Sequence, residues 1–322
     1  MKHIAAALLL TVALHCSFAF AADTTGAQVP PKVTGSPETN RFGERPLDTA
    51  YGAFQRGLYV TALNLALPEA EKGNLASQML SAEIYARGLG VAKNVPEATR
   101  WYMAAAAQGN AEAQLQSALI LLGDKPLDRT NTNRQEALTM LQASSDAGNA
   151  FAAFNLAQII IADSPGDVGL RKAAPLFQKA AAANISGAHY ALSQLYQNGT
   201  GGLSLDGAKA QFHLTRAAEL GLDTAQVDLG TALVDGLLGK KDFKTGYLWM
   251  RRAAESGNLI AAIRLAKLYV FGLGVEANPV TAASWYIRAK RSGLTDIELD
   301  DLMDGLTDGE RAAALIEANK RG

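Results

Sequence analysis

From residue 73 onward the chain is divided by seven punctuation marks into segments of nearly constant length, and this constrains its fold more than any other feature. The marks are Gly73, Gly109, Gly148, Asn184, Gly221, Gly257 and Gly293, spaced 36, 39, 36, 37, 36 and 36 residues apart. Asn184 is the informative exception. The residue just past a helix end takes the left-handed conformation, which glycine adopts freely and asparagine tolerates. Each mark therefore predicts a helix C-terminus, with positive φ expected at Gly109, Gly221 and Gly257.

Other columns keep the same register. Eleven residues before the marks stand Ala62, Ala98, Ala137, Ala173, Ala210, Gly246 and Ala282, and seven before stand Ala66, Tyr102, Leu141, Phe177, Leu214, Met250 and Tyr286. Four before come Ala105, Ser144, Ala180, Ala217, Ala253 and Ala289. Spacings of four and three put these columns on one helical face, with small residues where helices approach closely. After the marks, position +4 is Ala113, Ala152, Ala188, Ala225 and Ala261, and position +8 is Leu156, Leu192, Leu229 and Leu265. Each segment thus reads as two helices, A then B. Turns between them are marked by Gly88 with Gly90, Gly199 with Gly201, Gly236 with Gly239 and Gly272 with Gly274. One such pair cannot bury its apolar stripe alone, so the pairs must stack, and the expected fold is all-α, an α-solenoid of stacked antiparallel helix pairs.

Several motifs carry a family resemblance. Gly109-Asn110-Ala111-Glu112-Ala113, the Tyr85-x-x-Gly88-x-Gly90-Val91 turn, Ala98-x-x-Trp101-Tyr102-x-x-Ala105 and Ala282-x-x-Trp285-Tyr286-x-x-Ala289 resemble the Sel-one-like repeat (SLR) family, a branch of the tetratricopeptide-type solenoids. The resemblance covers 48–293: a leading hairpin at 48–73, then units 74–109, 110–148, 149–184, 185–221, 222–257 and 258–293, with 294–322 as a helical cap. It departs from the pattern in two places. Unit 110–148 has a longer turn at 124–134, and unit 149–184 lacks the glycine pair. The resemblance implies a right-handed α-solenoid with adaptor and scaffold roles in protein complexes and signalling, and no chemistry.

Matching tetratricopeptide units onto this register puts concave-groove positions at +3, +6, +10, +13 and +14 after each mark. The candidate partner-binding residues are then Leu115, Leu119, Leu122, Phe151, Phe154, Gln158, Ile161, Tyr190, Gln194 and Lys267. The stretch 112–162 is unusually apolar, which suggests a cover: a protein or peptide partner, a second copy, or the proline-containing segment 28–34. For the +6 column, which holds Leu115, Phe154 and Tyr190, packing between adjacent helices is the alternative.

The N-terminus reads as an export signal. Lys2 is followed by an apolar run from Ile4 to Phe20, and Ala19-Phe20-Ala21 supplies small residues for cleavage after residue 21. Residues 22–47 are rich in Thr, Gly and Pro and read as a flexible tether. The single cysteine, Cys16, lies inside the signal, so a cleaved chain has no thiol, which suits a bacterial periplasm, with secretion as the alternative. Thirty basic against thirty-one acidic residues provide no excess charge for nucleic acid.

Catalytic patterns are absent from the spacing. No G-x-S-x-G occurs, the glycine pairs follow no strand, and the two histidines beyond the signal, His189 and His213, have no metal-ligand spacing. A calcium loop counted from Asp300 fails at Leu302 and Arg311. No catalytic, cofactor or metal residue is expected. A non-enzymatic binding scaffold in the envelope, in polysaccharide machinery or as the regulator of a membrane sensor, is the leading reading. A solenoid-borne cell-wall hydrolase would need a clustered His or carboxylate pair, and a structural spacer would show a polar, featureless groove.

Overall fold

The computed structural model describes residues 49–320, apart from 124, 125 and 127, together with two short paired strands, β1 (Thr39–Asn40) and β2 (Gly43–Glu44). The expected signal at 1–21, and the tether at 22–47 except for these strands, lie outside the described residues. From residue 50 the described elements are all helices, as the period requires. Packing divides them into two compact units that part between Asp163 and Ser164, inside the unit 149–184.

The first unit holds α1 (Ala50–Gln55), α2 (Tyr59–Glu71), α3 (Leu75–Arg87), α4 (Val95–Ala107), α5 (Ala111–Leu122), α6 (Arg134–Asp146) and α7 (Ala150–Asp163). Its core runs from Ala53, Leu63 and Ile84 to Trp101, Tyr102 and Ala113. The second unit holds α8 (Asp167–Ala182), α9 (Ser186–Asn198), α10 (Gly207–Glu219), α11 (Asp223–Asp235), α12 (Phe243–Glu255), α13 (Leu259–Phe271), α14 (Pro279–Arg291), α15 (Ile297–Gly305) and α16 (Asp308–Lys320). Its core centres on Met250, Leu265, Trp285, Tyr286 and Leu299, and α16 closes the end by setting Ala314 and Ala318 on Ala283 and Ile287 of α14.

The marks do what their residue types allow. Gly109, Gly221 and Gly257 have φ of 81°, 90° and 96°, and Asn184, at 60°, is the one non-glycine with positive φ among the described residues. At Gly109 the helix ends in a Schellman arrangement: Asn110 N–H donates back to the Ala105 carbonyl, while the Asn110 side chain accepts from Ala113 N–H and starts α5. One dipeptide thus ends a B helix and caps the next A helix, and Gly73-Asn74 and Gly257-Asn258 repeat the device.

The A-to-B turns are closed by a recurring backbone bond. The N-cap residue of the B helix donates its N–H to the carbonyl of the +12 residue: Asn94 to Tyr85, Asp206 to Tyr196, Asp242 to Leu233 and Asn278 to Tyr269, at 2.9–3.0 Å. In the long turn of unit 110–148 the same acceptor, Leu121 O, is reached by the side-chain amide of Asn131 at 2.8 Å. The insertion therefore changes the turn's path while keeping its anchor.

Candidate functional site

In each unit the A helices present a candidate face: α3, α5 and α7 in the first, and α9, α11 and α13 in the second. Burial shows that its more exposed line is +3, +7, +10 and +14: +3, +10 and +14 belong to the expected set, +7 joins them, and +6 and +13 are the more buried columns. Leu115 (3 % exposed), Leu122 (3 %) and Tyr190 (3 %) are core residues and are withdrawn from the surface. Phe154 and Ile161, from the same two columns, are half-buried. The physical reason is crowding: an A helix packs against the B helices before and after it, as α5 does against α4 and α6, and most of the +6 and +13 residues lie toward those neighbours and out of water.

Phe151 remains exposed at 39 %, and Leu119, Gln158, Gln194 and Lys267 are half-buried along the +3 and +10 lines. The apolar patch expected over 112–162 is thus smaller than its sequence, centred on Phe151 and Leu119. The +7 column, with Gln116, Asn155, Asp228 and Arg264, also belongs to the face and lies outside the expected set, whereas Asp235 and Phe271 stand in the expected +14 column. Their signal in the sequence is the i, i+4, i+7, i+11 progression from +3.

Electrostatics distinguish the two units. In the first, Tyr102 Oη donates to Glu83 Oε2 at 3.0 Å, and Glu83 also pairs with Arg87 at 2.9 Å. Burial, reinforced by Glu83, pushes the Tyr102 phenol well above its ordinary range. In the second, Tyr190 Oη donates to Asp228 Oδ2 at 2.7 Å, which links α9 to α11. Burial raises the Asp228 carboxyl, with the Tyr190 bond and the Arg264 charge opposing it. Lys267 is committed as well. Its ammonium contacts Asp296 at 2.8 Å and Glu298 at 2.7 Å, tying α13 to the cap, and these bonds raise its pKa. Its role in this structure is therefore a clasp on α15.

His189 and His213, unrelated by sequence spacing, face each other with Nδ1 atoms 2.9 Å apart. Tyr196 stacks on His213 with ring centroids 5.6 Å apart. His189 stands at +5, where Gln78 and Gln226 donate their amides to the Ala70 and Ala218 carbonyls. His189 Nε2 lies toward the corresponding Ala181 carbonyl but makes no hydrogen bond of ordinary length. Desolvation lowers both imidazole pKa values, that of His213 to about 4 with further repulsion from His189 and Lys209. The columns that bring the two rings together are visible in the register; their facing orientation is not. Among the described residues no group of three or more His, Cys, Asp or Glu side chains is placed to hold a metal ion.

Known proteins match this arrangement. The Sel1 repeat model fits residues 75–110, 150–185, 186–222, 224–258 and 259–294, more than half of the chain; it passes over unit 110–148 with its long turn. A Sel1 repeat protein from Oxalobacter formigenes superposes with a TM-score of 0.63 at 24% identity, covering 77% of this chain and 97% of that one. A protective antigen of uropathogenic Escherichia coli displaying an SLR fold gives 0.55 at 26% identity, covering 82% of this chain and 64% of that one. Chitin synthase regulatory factor 3 of Schizosaccharomyces pombe is 30% identical over 120 residues, which is 37% of this chain and 13% of the yeast protein. Sel1 repeats generally mediate protein–protein interaction. With five matched repeats, a sixth helix pair in the same register and an α-solenoid architecture shared with solved relatives, the chain belongs to the Sel1 repeat family.

Proposed function

We propose that the chain is an exported, non-catalytic scaffold that holds a protein or peptide against the exposed A-helix face. The observation that supports this most strongly is the contrast between columns. Buried positions are filled alike from repeat to repeat, whereas the +10 position is in turn Glu83, Leu119, Gln158, Gln194, Thr231 and Lys267. A stacking surface needs uniform residues, and a recognition surface needs different ones.

The location we assign is the bacterial periplasm, on the basis of the export-type segment 1–21. The partner class we favour is envelope polysaccharide machinery or a membrane sensor. The yeast relative, named as a regulatory factor of chitin synthase, is compatible with a regulator acting on an enzyme of polysaccharide synthesis. Affinity capture from envelope extracts with the full chain as bait, read by mass spectrometry, tests the reading. A specific envelope protein retained by the parent and lost on Phe151→Asp with Leu119→Asp is the expected result. Mass spectrometry of the exported chain should find its N-terminus at Ala22, and retention of residues 1–21 would contradict the soluble periplasmic assignment.

A further inference from the structure

A pocket lined by two arginines lies where the long turn of unit 110–148 meets the C-terminal end of α7. Arg129, Asn131, Thr132, Arg134, Gln135 and Asp163 line an open pocket of about 360 Å³. Two guanidinium groups converge there on one carboxylate. Arg134 Nη2 donates to both Asp163 oxygens at 2.9 Å, while Arg129 Nε stands 3.3 Å from Oδ1 and its Nη2 donates to the Ala162 carbonyl at 2.8 Å. The lining thus carries one positive charge in excess; Glu136, in the first turn of α6, is exposed and not part of it.

Two further features ask for an acceptor. Arg134 is 92% removed from water, at 8% exposure, and its Nε–H meets no hydrogen-bond partner. A buried N–H without an acceptor is a costly arrangement, although the Arg134 charge itself is met by Asp163. The N-terminus of α6 also lacks a side-chain cap on Asn133, although Asn94, Asp206, Asp242 and Asn278 cap the corresponding B helices. The first-turn N–H groups of α6 therefore add their partial positive charge to the Arg pair.

We propose that this pocket binds a small oxyanion, in the first place the carboxylate of an acidic or chain-terminal peptide segment. Planar guanidinium donors suit a carboxylate or a phosphate by the same geometry. The observations are independent of the A-helix face, so the proposal stands or falls apart from the scaffold reading.

The test is thermal melting of the full chain at fixed ionic strength, titrated separately with acetate and with inorganic phosphate. A saturable rise in Tm with acetate is expected. Arg129, exposed at the turn, can be changed without disturbing the core, and Arg129→Gln should weaken the anion at least about tenfold. Asp163→Asn removes the competing carboxylate and should tighten it. A rise with phosphate exceeding that with acetate would overturn the carboxylate assignment in favour of a phosphate source. No saturable response to either anion, or a response that Arg129→Gln leaves unchanged, would overturn the site itself.

Discussion

His189 and His213 show how much a single column can change. Where Gln78 and Gln226 tie an A helix to the preceding B helix, His189 instead makes an imidazole pair. Both rings have pKa values depressed below the ordinary 6.5, His213 to about 4. Between those values the unfolded chain binds more protons than the folded one, so stability rises with pH. The second unit should be most stable above pH 6.5 and should lose stability as pH falls from there toward 4. His189→Gln, which installs the residue that the following repeat has at this position, should flatten melting temperature over that window; an unchanged slope would show that the pair is not its source. Glycines at turns make a second residue-scale case. Gly221 has φ 90° with open space around its missing Cβ, so Gly221→Val should cost about 1–2 kcal/mol from backbone strain alone. Gly274 shares the positive φ, but a Cβ there would run into the backbone of Phe243 at the start of α12. Gly274→Ala should therefore destabilise more than Gly221→Ala in chemical denaturation.

At the scale of the helices, the sequence is legible wherever the constraint is local. Helix ends follow from glycine or asparagine at C′, N-caps from Asn94, Asp206, Asp242 and Asn278, and the buried columns from small and aromatic residues at spacings of four and three. The exposed face is not local. Whether +6 or +7 meets water depends on where the neighbouring repeats sit, a rotation of about 100° per residue along a helix, and this is why Leu115, Leu122 and Tyr190 read as surface and are core. The facing of His189 and His213, and the Arg129–Asp163–Arg134 cluster, likewise require knowing which columns of two helices meet. The corrected register makes a sharp comparison. Leu115→Asp should cost at least about 3 kcal/mol, because it buries an unpaired charge, whereas Phe151→Asp should stay within about 0.5 kcal/mol of the parent. Tyr102→Ala should cost roughly 3–5 kcal/mol through the cavity it leaves between α3 and α4. Denaturant melts of these three variants check the register directly.

For the whole molecule, the account is of a stack of near-identical helix pairs whose buried columns build the solenoid and whose exposed A-helix line differs from pair to pair. Nothing in the buried columns selects a partner, so recognition has to reside on the line that varies. Its first-unit part is the more apolar, with Leu119 and Phe151, and its second-unit part is polar and charged, with Asp228, Arg264 and Lys267. The opposite, B-helix surface also exposes apolar groups, among them Leu248 at 46%, and supplies the control. The most direct measurement is envelope-partner capture by the parent, by Phe151→Asp with Arg264→Glu on the A-helix line, and by Leu248→Asp on the B-helix surface, with melts of all three. The account predicts that all three remain folded, that the A-line variant loses the partner, and that Leu248→Asp retains it. Retention by the A-line variant together with loss in Leu248→Asp would contradict it and move the binding surface to the B helices.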